Sequence, residues 1–219
     1  MLSPFQTRIA RLFLSMPEAR HFALGGGAAL VFKGEITRET QDLDFFVPIQ
    51  EEVSAAAERF KERLRDEGLS FDVVSSSPAF VRLVVRGEEG QEILVDIGFD
   101  FRLREPEQTD IGPVLTTEEL AADKMLALFG RAEARDFLDI FFLSARLGTP
   151  RLIELARQKD PGFDPHVLAI MIGHFDRLAR REFAVDDRTY QEMNSFFRQL
   201  RAELIERTLQ GDDGPSGKA

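Results

Sequence analysis

The chain has 219 residues, 43% hydrophobic and 30% charged, which suits one domain or a small two-part protein with a sizeable core. It has no cysteine, which excludes disulfides and thiolate sites, and no apolar run long enough to span a membrane. Its net charge of −10 argues against a broad basic surface for nucleic acid, although a local basic groove is compatible with it. No signal peptide is visible, so the expected location is the cytoplasm. The 20 phenylalanines fall mostly in apolar runs and read as core filling rather than base stacking.

In chain order, Ile9, Leu12, Phe13 and Met16 keep helical spacing over residues 5–16. Ser3-Pro4 reads as a cap followed by a first-turn proline, and Pro17 ends the helix. Residues 22–24 form a short apolar strand that runs into Gly25-Gly26-Gly27, and residues 28–33 are expected to be a helix closed by Gly34. Glycine backbone N–H groups can come close to phosphate oxygens, and a helix starting near Ala28 would add its positive N-terminal end. A polar connection then carries Arg38 and Thr40 into Asp42-Leu43-Asp44-Phe45-Phe46-Val47, an expected strand stopped by Pro48. Residues i and i+2 of a strand share a face, so Asp42 and Asp44 would project side by side. Two adjacent anions repel, and a divalent cation with oxygen ligands, such as Mg²⁺, makes the arrangement favourable. A lone glycine run is usually a turn and a lone Asp-x-Asp usually a solvated strand end. It is their combination, in this order and at this spacing, that points to a triphosphate and a metal held together.

Residues 51–67 form a charged helix with Val53, Ala56, Ala57, Phe60 and Leu64 on one stripe, ended by Gly68. Residues 71–74 are a short strand, and residues 80–85 and 92–97 read as a hairpin across Arg86-Gly87-Glu88-Glu89-Gly90-Gln91. Asp96 lies inside the apolar run Ile93-Leu94-Val95-Asp96-Ile97, a costly place for a carboxylate without a partner. It is read as a third metal-binding carboxylate beside Asp42 and Asp44, with Asp100 as the competitor. Residues 105–114 are expected to be a polar loop.

A helical part follows. Thr116 or Thr117 caps a helix carrying Leu120, Ala121, Met125, Leu126 and Leu128, with Lys124 among them. Arg131, Arg135 and Asp139 follow at four-residue steps, which is one face of any continuous helix, though Gly130 can break it. The bland reading is an Arg135–Asp139 surface pair. The functional one is a cationic wall facing a triphosphate. Residues 150–158, 165–178 and 188–209 each show apolar stripes, and His174 in the second reads as structural. Residues 211–219 are polar and glycine-rich and are expected to be disordered.

Gly26-Gly27 followed by Asp42-x-Asp44 and a later carboxylate resembles the DNA polymerase β-like nucleotidyltransferase superfamily. The stretch Lys124-x-x-Ala127-x-x-x-Arg131-x-x-x-Arg135-Asp136-x-x-Asp139 narrows the resemblance to the AbiEii/AbiGii toxin family of nucleotidyltransferases. Arg38-x-Thr40-x-Asp42-Leu43-Asp44 is similar to that family's Arg-x-Ser-x-Asp-x-Asp segment, with Thr for Ser. One departure is Ala28-Ala29, where the family commonly has Thr or Ser after the glycines.

The resemblance implies an α/β (α+β) nucleotidyltransferase fold. A small mixed sheet with flanking helices would occupy residues 1–115, and a helical bundle residues 116–210. It implies transfer of a nucleoside monophosphate from a nucleoside triphosphate to a hydroxyl. Asp42, Asp44 and Asp96 would hold two Mg²⁺ ions, Gly26 and Gly27 would cradle phosphates, and Arg38 and Lys124 would neutralise charge. Thr40, Arg131, Arg135 and Asp136 would serve nucleotide contact or bracing. The implied role is the toxin of a type IV toxin–antitoxin (abortive infection) system, with tRNA as acceptor and a cognate antitoxin protein as partner. The alternatives are an enzyme acting on a small molecule or protein outside any toxin system, and a non-catalytic nucleotide-binding module.

Overall fold

A computed structural model describes residues 1–88 and 90–210. The expected disorder of residues 211–219 falls outside them. The chain divides into two compact units, one through Leu120 and one from Ala121 onward.

The first unit is built on a seven-stranded mixed sheet. Its strands are β1 (Ala23–Gly25), β2 (Asp42–Val47), β3 (Ser70–Ser77), β4 (Phe80–Arg86), β5 (Glu92–Phe99), β6 (Glu107–Thr109) and β7 (Gly112–Val114). They lie in the order β3-β4-β5-β2-β1-β7-β6. β2 runs parallel to β5 and antiparallel to β1, and β4 is antiparallel to both its neighbours. The unit also contains α1 (Pro4–Leu14), α2 (Gly26–Phe32), α3 (Glu52–Asp66) and the start of α4 (Thr117–Gly130).

One face of the sheet is the core. Leu43, Phe45, Val47, Val81, Leu83, Val85, Val95 and Ile97 alternate along β2, β4 and β5 and are all buried, as the two-residue period of a strand requires. Phe13 of α1 joins helices to sheet: it stacks on Phe45 at 4.2 Å between ring centroids and meets Phe22 and Phe60 edge-on at 5.3 and 5.2 Å. The start of α1 is fixed by a reciprocal cap, in which the Gln6 N–H donates to Ser3 Oγ at 3.1 Å and the Ser3 N–H donates to Gln6 Oε1 at 2.8 Å.

Three expectations change in this unit. Residues 105–114 are not a loop but the β6–β7 hairpin, and β7 pairs with β1 at Leu24. Strands of three residues are too short to carry an alternation pattern. The helix after the glycines starts two residues early, at Gly26, so Gly26 and Gly27 form its first turn. β3 extends to Ser77 as an edge strand, with Val73 and Val74 exposed.

The second unit is helical: the rest of α4, then α5 (Ala134–Leu147), α6 (Thr149–Lys159), α7 (Pro165–Ile172) and α8 (Asp187–Leu209). The helix expected over residues 165–178 stops at Ile172, and residues 173–177, His174 included, continue as a tighter 3₁₀ turn. Phe137 of α5 packs edge-on against Phe175 and Phe197, at 5.2 and 4.9 Å. Among the described residues no helix is long and apolar enough to cross a membrane.

Phe13 is fully buried and touches three rings. Phe13→Ala is expected to destabilise the first unit by about 3–5 kcal/mol, as measured by a shift in the urea unfolding midpoint.

Candidate active site

The face of the sheet opposite the core carries the carboxylates. Asp42 and Asp44 alternate with buried Leu43 and Phe45 on β2 and are half-buried. The parallel pairing of β2 with β5 sets Asp44 directly beside Asp96. Residues paired in register share a face, so all three carboxylates stand on one side. The same register decides between Asp96 and Asp100. The Asp100 N–H donates to the Val47 carbonyl at the far end of β2, roughly 13 Å of strand away from Asp96.

The glycines are packed against this face. Gly26 has φ +59°, and a Cβ there would lie 1.8 Å from Asp44 Oδ2, so the Asp44 carboxylate occupies the space a side chain would need. A Cβ on Gly27 would lie 2.7 Å from Arg38 Nη2 and 3.3 Å from Thr40 Oγ1. Arg38 and Thr40 are therefore folded back onto the glycine turn. Buried Gln6 holds this connection in place by donating its side-chain N–H to the Thr40 carbonyl at 2.7 Å. Of the residues expected to act, Gly26, Gly27, Arg38, Thr40, Asp42, Asp44 and Asp96 are thus brought together.

Sequence reasoning missed one member, Arg82 on β4. It is paired in register with Asp96 and grips it with two N–H groups: Nε donates to Oδ1 at 2.7 Å and Nη2 to Oδ2 at 2.6 Å. These hydrogen bonds raise the Arg82 pKa above its ordinary value, and attraction from Asp96, Asp42 and Asp44 adds to the effect. A signal was present in the sequence. Pairing the oppositely charged Arg86 and Glu92 at the hairpin mouth, and counting four residues away from the turn on each strand, sets Arg82 across from Asp96.

Asp42, Asp44 and Asp96 offer only carboxylate oxygens, the donor set that hard divalent cations take. They share a sheet face, and the guanidinium on Asp96 stands where a cation's charge is needed. In that chemical sense the residues fit a metal. The side chains are not gathered for one, however: among the described residues no group of three or more acidic or histidine side chains is assembled to hold a metal ion.

The residues of the late motif lie in the second unit. Lys124 Nζ is 2.9 Å from Asp139 Oδ2, and both side chains are buried. Arg131 clamps buried Asp136 through Nε and Nη2, each at 2.9 Å, and Asp136 also accepts from the Glu133 N–H. Arg135 donates to Glu133 at 2.9 Å. The four-residue steps therefore do not mark one helix face. α4 ends at Gly130, Ala132 takes φ +53°, and α5 starts only at Ala134. Left-handed backbone at a residue other than glycine costs roughly 1–3 kcal/mol, and the Arg131–Asp136 clamp spans that turn. Asp139, considered as half of a surface pair with Arg135, is itself buried and pairs with buried Lys124.

The sequence matches the family described as nucleotidyl transferase AbiEii toxin, Type IV TA system, over residues 10–210. No curated protein matches it significantly. The fold is similar to JHP933 of Helicobacter pylori, at 16% identity, with a TM-score of 0.57 and coverage of 97% of this chain and 98% of that one. It is also similar to MenT4, a nucleotidyltransferase toxin of Mycobacterium tuberculosis H37Rv, at 20% identity, TM-score 0.56 and coverage of 91% and 82%. A third similar structure is the antibiotic-resistance factor ANT(2'')-Ia, at 17% identity, TM-score 0.50 and coverage of 72% and 92%.

Two outcomes follow from this geometry. Gly26→Ala forces Asp44 off its position, and displacement on that scale is expected to lower nucleotidyl transfer about 10²-fold, while circular dichroism shows the fold retained. Asp139→Ala leaves the Lys124 ammonium buried without its partner and is expected to cost about 3–5 kcal/mol, read by chemical denaturation.

Proposed function

Given that the chain belongs to the AbiEii family of nucleotidyltransferase toxins of type IV toxin–antitoxin systems, we propose that it is the Mg²⁺-dependent toxin of such a pair. It would transfer a nucleoside monophosphate from a nucleoside triphosphate to the hydroxyl of a tRNA. The acceptor hydroxyl loses its proton to solvent as its oxygen forms a bond to the α-phosphorus, the bond from that phosphorus to the bridging oxygen breaks, and pyrophosphate leaves. The observation that supports this reading best is the parallel register that sets Asp44 beside Asp96 with Asp42 on the same face.

Asp42 and Asp44, joined by Asp96, would hold the two divalent ions. When bound there, those ions would supply Lewis-acid stabilisation of the phosphoryl oxygens and lower the pKa of the acceptor hydroxyl. Gly26 and Gly27, the first two residues of α2, would cradle the phosphates. Arg38, folded against Gly27, presents a planar fork of donors suited to a phosphate. Thr40 offers a hydroxyl from the same side. Lys124 is assigned to the triphosphate charge on the strength of the motif it heads, with Asp139 fixing its ammonium. Arg131 and Asp136 brace the turn that follows α4, and Arg135 is an accessory cation.

The reaction takes place in the cytoplasm, and the cognate antitoxin protein neutralises it, within an abortive-infection response. A second reading, a small-molecule or protein acceptor, is favoured by the net charge of −10, because tRNA brings many phosphates of its own.

Incubation with Mg²⁺, each α-labelled nucleoside triphosphate in turn and total tRNA is expected to place label in tRNA. The Asp42→Ala/Asp44→Ala double variant is expected to place none. Label absent from tRNA but present in small molecules or protein would replace the acceptor and keep the enzyme.

A further inference from the structure

We propose that Arg82 is a built-in counter-ion that competes with the divalent metal for Asp96, so that the metal site stays closed until the arginine leaves. The proposal deepens the functional reading above and rests on it for the assignment of Asp42, Asp44 and Asp96 as the metal-holding set.

Three observations carry it. Arg82 engages both oxygens of Asp96 at once, at 2.7 and 2.6 Å, in the parallel-fork geometry that makes arginine–carboxylate pairs strong. Asp96 is only 6% exposed with Arg82 in place, so in this arrangement the arginine and not bulk water is the partner it meets. Asp42 and Asp44 stand on the same sheet face as Asp96, so one positive charge stands in the field that all three carboxylates generate.

The arginine also has somewhere to go. Its side chain is 42% exposed, and its guanidinium carbon already lies 5.5 Å from the centroid of the Phe80 ring, which can carry a cation on its face. Asp96 has no comparable freedom, since it sits inside β5 between paired strands. Exchange therefore proceeds by Arg82 swinging toward solvent and Phe80 while Asp96 stays in place.

The consequence is an ordering. A free divalent ion must displace a bidentate arginine and is repelled by it, so it binds weakly on its own. An ion arriving with a triphosphate belongs to a complex of net negative charge that can draw Arg82 away from Asp96, so metal and nucleotide enter together. An enzyme that would harm its own host is thereby kept from holding metal while idle. If Arg82 instead oriented Asp96 for the metal and remained in place, its removal would weaken metal binding, the opposite effect.

The test is calorimetric titration of the nucleotide-free protein with Mn²⁺, with thermal unfolding in chelator and in Mn²⁺, for wild type, Arg82→Gln, Arg82→Lys and Asp42→Ala/Asp44→Ala. Arg82→Gln is expected to bind Mn²⁺ at least several-fold more tightly than wild type. Without metal it unfolds at lower temperature, because Asp96 has lost its counter-ion, and Mn²⁺ restores the loss. Arg82→Lys keeps the charge but not the fork and is expected to fall between, which retains a readout if the glutamine variant folds poorly. Equal or weaker Mn²⁺ binding by both Arg82 variants, with binding lost in the double aspartate variant, would overturn the counter-ion role and leave the metal site standing. Mn²⁺ binding that survives in the double aspartate variant, or is absent from every protein, would overturn the metal assignment itself and the proposal with it.

Discussion

Mutual repulsion of carboxylates on one sheet face is the constraint around which the first unit is arranged. Asp42 and Asp44 follow each other on β2, and the parallel pairing with β5 adds Asp96 beside Asp44. Like charges at this separation destabilise a sheet unless a cation compensates them. In this structure Arg82 supplies that cation, set opposite Asp96 by the antiparallel register of β4 and β5. The hydrophobic side of the same strands makes the arrangement unavoidable. Leu43, Phe45, Val95 and Ile97 must face the core, and a slip of one residue would turn every one of them to the other face. Core packing thus holds the carboxylates against their own repulsion.

The glycine turn depends on the same geometry. Gly26 has room only for hydrogen because Asp44 fills the space above it, and Gly27 is overlaid by Arg38 and Thr40. Positive and negative groups are layered over a backbone that has no side chains of its own there. Such a surface suits a polyphosphate with its metal better than it suits an apolar ligand. The helical unit solves a different electrostatic problem. Its buried acids, Asp136 and Asp139, are each matched to a cation, Arg131 and Lys124 respectively. Buried ion pairs of this kind add little net stability but are costly to break. That makes them position-holding devices, and here one of them holds the lysine that heads the family motif.

Much of this was legible from local pattern. Strand alternation over residues 42–47, the hairpin around residues 86–91, the Ser3 cap and the long amphipathic helices follow from residue type and spacing, because each is stabilised by neighbours a few residues away. The pairs Asp42 with Asp44 and Gly26 with Gly27 were readable for the same reason. The β6–β7 hairpin was not, since its three-residue strands gain their stability from pairing with each other and with β1 rather than from their own sequence. The break between α4 and α5 was also obscured: charges at four-residue steps suggested one helix, whereas the Arg131–Asp136 clamp and the positive φ of Ala132 end it.

The chemistry, then, is local: which residues are acidic, where the backbone lacks side chains, and which motif follows are all properties of short segments, and they suffice to mark a nucleotidyltransferase. Long-range pairing decided the rest. Asp96 rather than Asp100 joins the pair on β2, and Arg82 faces Asp96, because strands far apart in sequence meet in one particular register. Register is set by burying the whole apolar face at once, a cooperative property that no single segment contains.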